Sequence, residues 1–126
     1  MSLQTDFRSS SSPWGIASGA EYSGKLPEIM PLLRDAGITG LRYFPEWQSI
    51  QPAPDLWDWE WSDRLVASAK ANGIRIAGVF LYFAPWASSD GGTRGFPLKS
   101  MESWREFVLT TVSRYRDQID CWEVLN

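Results

Sequence analysis

The sequence predicts an α/β fold, four parallel strands alternating with three helices, which is the arrangement of the N-terminal half of a TIM (β/α)8 barrel. Three observations predict it. From Pro13 onward, short β-type runs alternate with amphipathic helical stretches, the pattern of βα units around a parallel sheet. The junction Ala36-Gly37-Ile38 recurs in form as Asn72-Gly73-Ile74, each time leading a helix into a strand, an internal repeat of about 36 residues. Ile74 to Phe83 is almost continuously apolar, broken only by Arg75, as suits a strand buried on both faces.

The elements follow in order. Trp14 to Ala17 is the first strand. Ile29, Leu32, Leu33 and Ala36 fall at i, i+3, i+4 and i+7, the apolar stripe of a first helix, and Gly37 supplies a left-handed stop. Pro27 and Pro31 fit a helix only near its first turn, because proline has no N–H for an interior bond, so the start of this helix stays open. Ile38 to Phe44 is the second strand. After the proline-containing stretch Gln51 to Asp55, a second helix carries Trp61, Leu65, Val66 and Ala69 and ends at Asn72-Gly73. Ile74 to Phe83 is the third strand. A glycine- and proline-containing loop, Ala84 to Lys99, leads to Ser100, an N-cap for a third helix striped by Trp104, Phe107, Val108, Val112 and Tyr115. Ile119 to Leu125 is the fourth strand.

A typical barrel needs eight strands and about 250 residues, so four strands make half of one. A doubly wound sheet competes with this reading, but the phosphate-cradling G-x-G-x-x-G expected after its first strand is missing. Residues 1–12 read as a flexible leader, with no apolar stretch of signal-peptide length, ahead of one domain over 13–126.

Composition narrows the chemistry. Of 126 residues 44% are hydrophobic and 14% aromatic, enough for one packed core. Twelve basic and 15 acidic residues leave a net charge of −3 without a long run of either sign, so neither nucleic acid nor an anionic membrane is an expected partner. With no histidine and Cys121 as the single cysteine, Cys/His metal sites and Ser-His-Asp or Cys-His catalysis are excluded within this chain. Carboxylates remain as acid/base candidates, and no cofactor is expected. The compartment is not fixed by one cysteine.

In a parallel barrel the functional groups stand at the C-terminal ends of the strands. Those ends read Ser18 to Glu21, Phe44 to Trp47, Tyr82 to Trp86 and Glu123 to Asn126, a mixture of aromatic, acidic and amide groups suited to sugars. Of eight tryptophans, Trp61 and Trp104 sit on helix stripes and read as core, and Trp57 and Trp59 as anchors of the loop before the second helix. Trp14, Trp47 and Trp86 lie at strand ends, where packing and substrate contact both remain open. Arg42 lies inside the second strand, where a lone charge is costly and a carboxylate partner is required. It either orients a catalytic carboxylate or pairs with Glu123 inside the barrel, and both can hold together. Glu123 reads as a supporting group, while Glu46 and Glu21 read as loop or surface residues.

Arg42, Glu46-Trp47-Gln48-Ser49-Ile50-Gln51-Pro52, Trp57-Asp58-Trp59 leading to Ser62-Asp63-Arg64-Leu65-Val66, the Ala69 to Ile74 junction, Ala84-Pro85-Trp86-Ala87-Ser88, and Tyr115 with Cys121-Trp122-Glu123-Val124-Leu125-Asn126 together resemble glycoside hydrolases of clan A. The resemblance runs closest to the family 39 group of β-xylosidases and iduronidases and covers nearly the whole chain from Trp14. It implies a fourth strand ending in Asn-Glu, with Asn126 bonding a sugar hydroxyl and the acid/base glutamate directly after it, and a nucleophilic glutamate on a seventh strand. It implies Arg42 as a supporting arginine, and no catalytic residue within the chain. Many clan members carry a histidine at the third-strand end, where Tyr82 and Phe83 stand here, a departure that leaves the sugar open.

The expected function is therefore that of a fragment of a glycosidase, cleaving O-glycosidic bonds of a glycoside or polysaccharide by a two-carboxylate retaining mechanism, with Asn126, Arg42, Trp86, Trp47 and Tyr82 at the substrate, Glu123 behind them, and no activity in the fragment alone. The alternatives are a non-catalytic carbohydrate-binding or scaffold module and a barrel enzyme of unrelated chemistry. Open sheet edges at the first and fourth strands predict self-association.

Overall fold

The computed structural model describes residues 14–17, 24–94, 98–119 and 121–124. Strands β1 (Gly15–Ala17), β2 (Gly40–Arg42), β3 (Arg75–Phe80) and β4 (Cys121–Val124) form one parallel sheet in the order β1-β2-β3-β4. Between them lie α1 (Leu26–Asp35), α3 (Glu60–Ala71) and α4 (Met101–Tyr115), with a four-residue helix, α2 (Trp47–Ile50), inside the loop after β2. This is the N-terminal half of a TIM barrel. No helix among the described residues is long and apolar enough to cross a membrane.

The recurring helix-to-strand junction has one physical cause. After α1, the Ile38 N–H bonds the Leu33 carbonyl and the Gly37 N–H bonds that of Arg34; after α3, Ile74 bonds Ala69 and Gly73 bonds Lys70 in the same way. These are two Schellman caps, each with its glycine at positive φ, +80° at Gly37 and +67° at Gly73. At the start of α4, Ser100 Oγ accepts from the N–H groups of Glu102 and Ser103, as its sequence position predicts.

The stripe expected for α1 is shifted. Leu26, Pro27 and Met30 are the buried residues, Ile29 and Leu33 are half-buried, and Leu32 is 67% exposed. Leu32 lies across the helix from Pro27, whose carbonyl bonds α3, and from Arg34, which bonds Asn72 just after it, while on its own flank the only link to α3 is the exposed ion pair of Glu28 with Arg64 among the described residues. Pro31 lies in the helix interior rather than the first turn. It cannot donate to the carbonyl of Pro27, and the Ser68 hydroxyl of α3 does so instead, at 2.6 Å. The orphaned acceptor becomes a cross-link between two helices.

All four strands are shorter than the apolar runs that mark them. At Tyr82 the backbone turns left-handed, φ +58°, and Phe83 sends its N–H to the Thr93 carbonyl instead of to a strand. Phe83 and Ala84 stay buried, so the run continues as a packed loop after β3 has ended.

Side chains alternate across the sheet. Leu41, Ile76, Gly78, Phe80 and Trp122 share the face beneath the helices, whereas Ala17, Arg42, Ala77, Val79 and Glu123 share the opposite, barrel-inner face. The helix-side core is aromatic. Trp47 is fully buried and stacks on Phe107 at 5.1 Å and 16°, Phe80 meets Phe107 edge-on at 5.5 Å, and Phe80 stacks on Trp122 at 4.7 Å and 10°. Each such pair adds about 0.5–1.5 kcal/mol beyond its buried area. Trp61 and Trp104 pack against this core, and Trp57 stacks on Trp59 at 5.3 Å.

Candidate active site at the barrel mouth

Arg42 ends β2 and Glu123 lies one residue from the end of β4, with β3 between them. Arg42 is level with Ala77, and Glu123 is level with Val79, two residues nearer the C-terminal rim. Strands lie about 4.8 Å apart, so only a long side chain can span the intervening one. The guanidinium does so in a two-pronged contact: Nε donates to Oε2 at 2.8 Å and Nη2 to Oε1 at 2.9 Å. The bond to Glu123 raises the Arg42 pKa above its ordinary value. Side-chain exposures of 34% and 39% mean that water screens much of the Coulomb attraction. What the contact supplies is fixed geometry on the inner face. Of the two roles open to Arg42 in the sequence, the pairing with Glu123 is the one seen here.

The rim beside this pair is built by the loops after β2 and β3. Trp47, a sequence candidate for substrate contact, lies wholly inside the core, because α2 turns its ring inward under α4. Trp86 is half-buried; its ring meets Trp47 edge-on at 5.4 Å, and its Nε1 donates to the Gln51 carbonyl at 2.8 Å. Tyr82 is half-buried, its hydroxyl accepts from Arg94 Nη2 at 3.1 Å, and the same guanidinium sits 4.8 Å from its ring centroid. A non-glycine residue at positive φ costs about 1 kcal/mol or more, and such strain concentrates at functional sites. Glu46 accepts from Gln48 Nε2 at 2.6 Å. Asn126 and the strand end Ser18 to Glu21 lie outside the described residues.

The residue missed by sequence reasoning is Gln51. It is 1% exposed, and its amide bonds Trp47 Nε1 and the Pro54 carbonyl, both at 2.7 Å. The signal was present: Trp47 and Gln51 stand at i and i+4, and an amide directly before a proline-containing turn needs partners if it is buried. A groove of about 410 Å³, lined by Tyr43, Asp58, Trp61 and Arg64 among others, lies between the loop after β2 and the start of α3, and none of the sequence-predicted site residues lines it.

A half barrel with acidic, amide and aromatic groups at its C-terminal rim has counterparts among known enzymes. The chain matches no family model. A curated relative, an endo-1,4-beta-xylanase/feruloyl esterase of Xylanibacter ruminicola, is 31% identical over 84 residues, which are 61% of this chain and 11% of that protein. Among solved structures, a family 39 glycoside hydrolase from Bacteroides cellulosilyticus WH2 superposes with a TM-score of 0.69 at 21% identity, over 90% of this chain and 24% of that one. Xylanase B from Clostridium stercorarium F9 gives 0.62 at 23% identity over 91% and 38%, and a psychrophilic family 10 endo-beta-1,4-xylanase gives 0.60 at 24% over 89% and 37%. The shared fold is that of barrel glycoside hydrolases, and this chain spans well under half the length of each of these proteins.

Proposed function

We propose that the protein containing this half barrel hydrolyses O-glycosidic bonds by the two-carboxylate retaining mechanism. The observation that carries the reading is the two-pronged Arg42–Glu123 contact on the inner face, at the rim of a fold shared with glycoside hydrolases. Glu123 faces inward, and a strand continuing past Val124 would, by its period-two alternation, turn the residue after Asn126 to the same side. A glutamate there would stand at the mouth as general acid, its carboxyl kept protonated by partial desolvation. Asn126 would bond a sugar hydroxyl, with Arg42 and Glu123 holding the inner wall behind it. The second carboxylate, about 5–5.5 Å from the first in retaining enzymes, would come from the other half. The 126-residue chain alone would then be inert, and its edges at β1 and β4, each with one strand neighbour among the described residues, would support self-association.

The relatives' names make β-1,4-xylan and aryl xylosides the first substrates to test. In the full-length protein, Asn126→Ala should lower kcat/KM on the best of them by at least about tenfold, or about 1.4 kcal/mol. An unchanged kcat/KM would remove Asn126 from the site. A full-length protein that binds xylan without turning it over would instead favour a non-catalytic binding module.

A further inference from the structure

We propose that Gln51 is a positioning residue: it locks the loop after β3 to the loop after β2, so that Trp86 is held in one orientation on a rim that moves as a single body. The proposal rests, for its functional consequence alone, on reading that rim as a glycoside site.

Four bonds converge on this residue. Its side-chain Oε1 accepts from Trp47 Nε1 and its Nε2 donates to the Pro54 carbonyl, both at 2.7 Å. Its main-chain N–H donates to the Trp47 carbonyl at 2.8 Å, and its main-chain carbonyl accepts from Trp86 Nε1, also at 2.8 Å, from 35 residues away. The far loop is pinned in turn: Lys99 Nζ donates to the Trp86 carbonyl, and the Lys99 N–H to that of Ala87. Space-filling alone does not account for an amide here. At 1% exposure an unbonded polar atom is costly, and an apolar side chain of the same shape would fill the volume. Trp47 Nε1 needs an acceptor, and the Pro54 carbonyl needs a donor. A neutral amide is the side chain of this size that supplies both at once; a glutamate would turn a second lone pair on Pro54.

The test uses hydrogen exchange of the ¹⁵N-labelled indole N–H groups. In Gln51→Met, protection of both Trp47 and Trp86 should fall by at least about tenfold while the amides of α4 keep theirs, because an opening confined to the two loops and the α2 edge of the core leaves the hydrogen bonds within α4 unbroken. Loss of protection at Trp47 alone would overturn the proposal, since Gln51 would then order only its own loop. Should Gln51→Met fail to fold, Gln51→Glu decides the matter: Trp86 protection should be low at neutral pH and recover on acidification, as the protonated carboxyl regains a donor toward Pro54. A pH-independent Trp86 would overturn it. In the full-length protein, Gln51→Glu should raise KM for xylo-oligosaccharides at least about threefold with kcat within about twofold, the mark of lost positioning for binding. If the wild type neither binds nor cleaves glycosides, the glycosidase reading fails, and the exchange result still decides the role of Gln51.

Discussion

Arg42 and Glu123 belong to strands that never touch, yet two hydrogen bonds of 2.8 and 2.9 Å join them across β3. Both side chains are about a third exposed, so the pair holds shape more than it adds stability. Glu123→Gln should therefore change unfolding free energy by less than about 1 kcal/mol, while in the full-length protein it lowers kcat/KM by at least about tenfold. Denaturant titration beside steady-state kinetics checks this; a large stability loss with intact kinetics would reduce the pair to a strut.

The Ser68 hydroxyl stands in for the N–H that Pro31 lacks. Ser68→Ala should destabilise the chain by about 1 kcal/mol, leaving the Pro27 carbonyl without its donor. Pro31→Ala restores that donor from within α1, so in the double variant most of the loss should return. Equal cost of Ser68→Ala in both backgrounds would show that the hydroxyl acts elsewhere.

Gly78 lies opposite Trp122 in the register, under its ring. A Cβ at position 78 would come within 3 Å of three ring atoms. Gly78→Ala should cost about 1–3 kcal/mol by overpacking, and Trp122→Leu in the same chain should recover part of it. Thermal melts of the two single variants and the double variant measure the coupling, and additive losses would mean that the ring yields freely.

Burial, reinforced by the bond it donates to Asp63 at 2.8 Å, pushes the Tyr115 phenol up to about 12. Asp63 is held below the usual carboxylate range by its paired bonds from Arg114, at 3.0 and 2.6 Å. A phenol whose folded pKa lies above its unfolded value of about 10 contributes stability that is complete below about pH 10 and is lost as pH rises toward 12. Absorbance at 295 nm should show one tyrosine ionising with unfolding, and Tyr115→Phe should abolish that coupling. If that tyrosine titrates at its ordinary pKa in the folded chain, the α3–α4 contact is wetter than described.

Much of the frame was legible because its signals are local. The two Schellman caps at Gly37 and Gly73, the Ser100 cap and the stripe through Phe107 and Tyr115 depend on residues within about eight positions of one another, so periodicity and turn chemistry show them. The order of strands follows from the same signals, since consecutive βα units lay each strand beside the last.

The sequence by itself determined the half-barrel frame, where its helices stop, and that Arg42 must find a carboxylate. Tertiary structure alone decided which flank of α1 is buried, so that Leu32 stays in water, and that Ser68 makes Pro31 tolerable inside a helix. It also decided that β3 ends before Tyr82, that Trp47 is core while Trp86 keeps a partly open face, and that Gln51 ties the two loops together. The physical reason is common to all of these. A side chain's burial and the partner of a polar group depend on atoms brought close from 35 or 81 residues away, and no spacing within one segment encodes that distance.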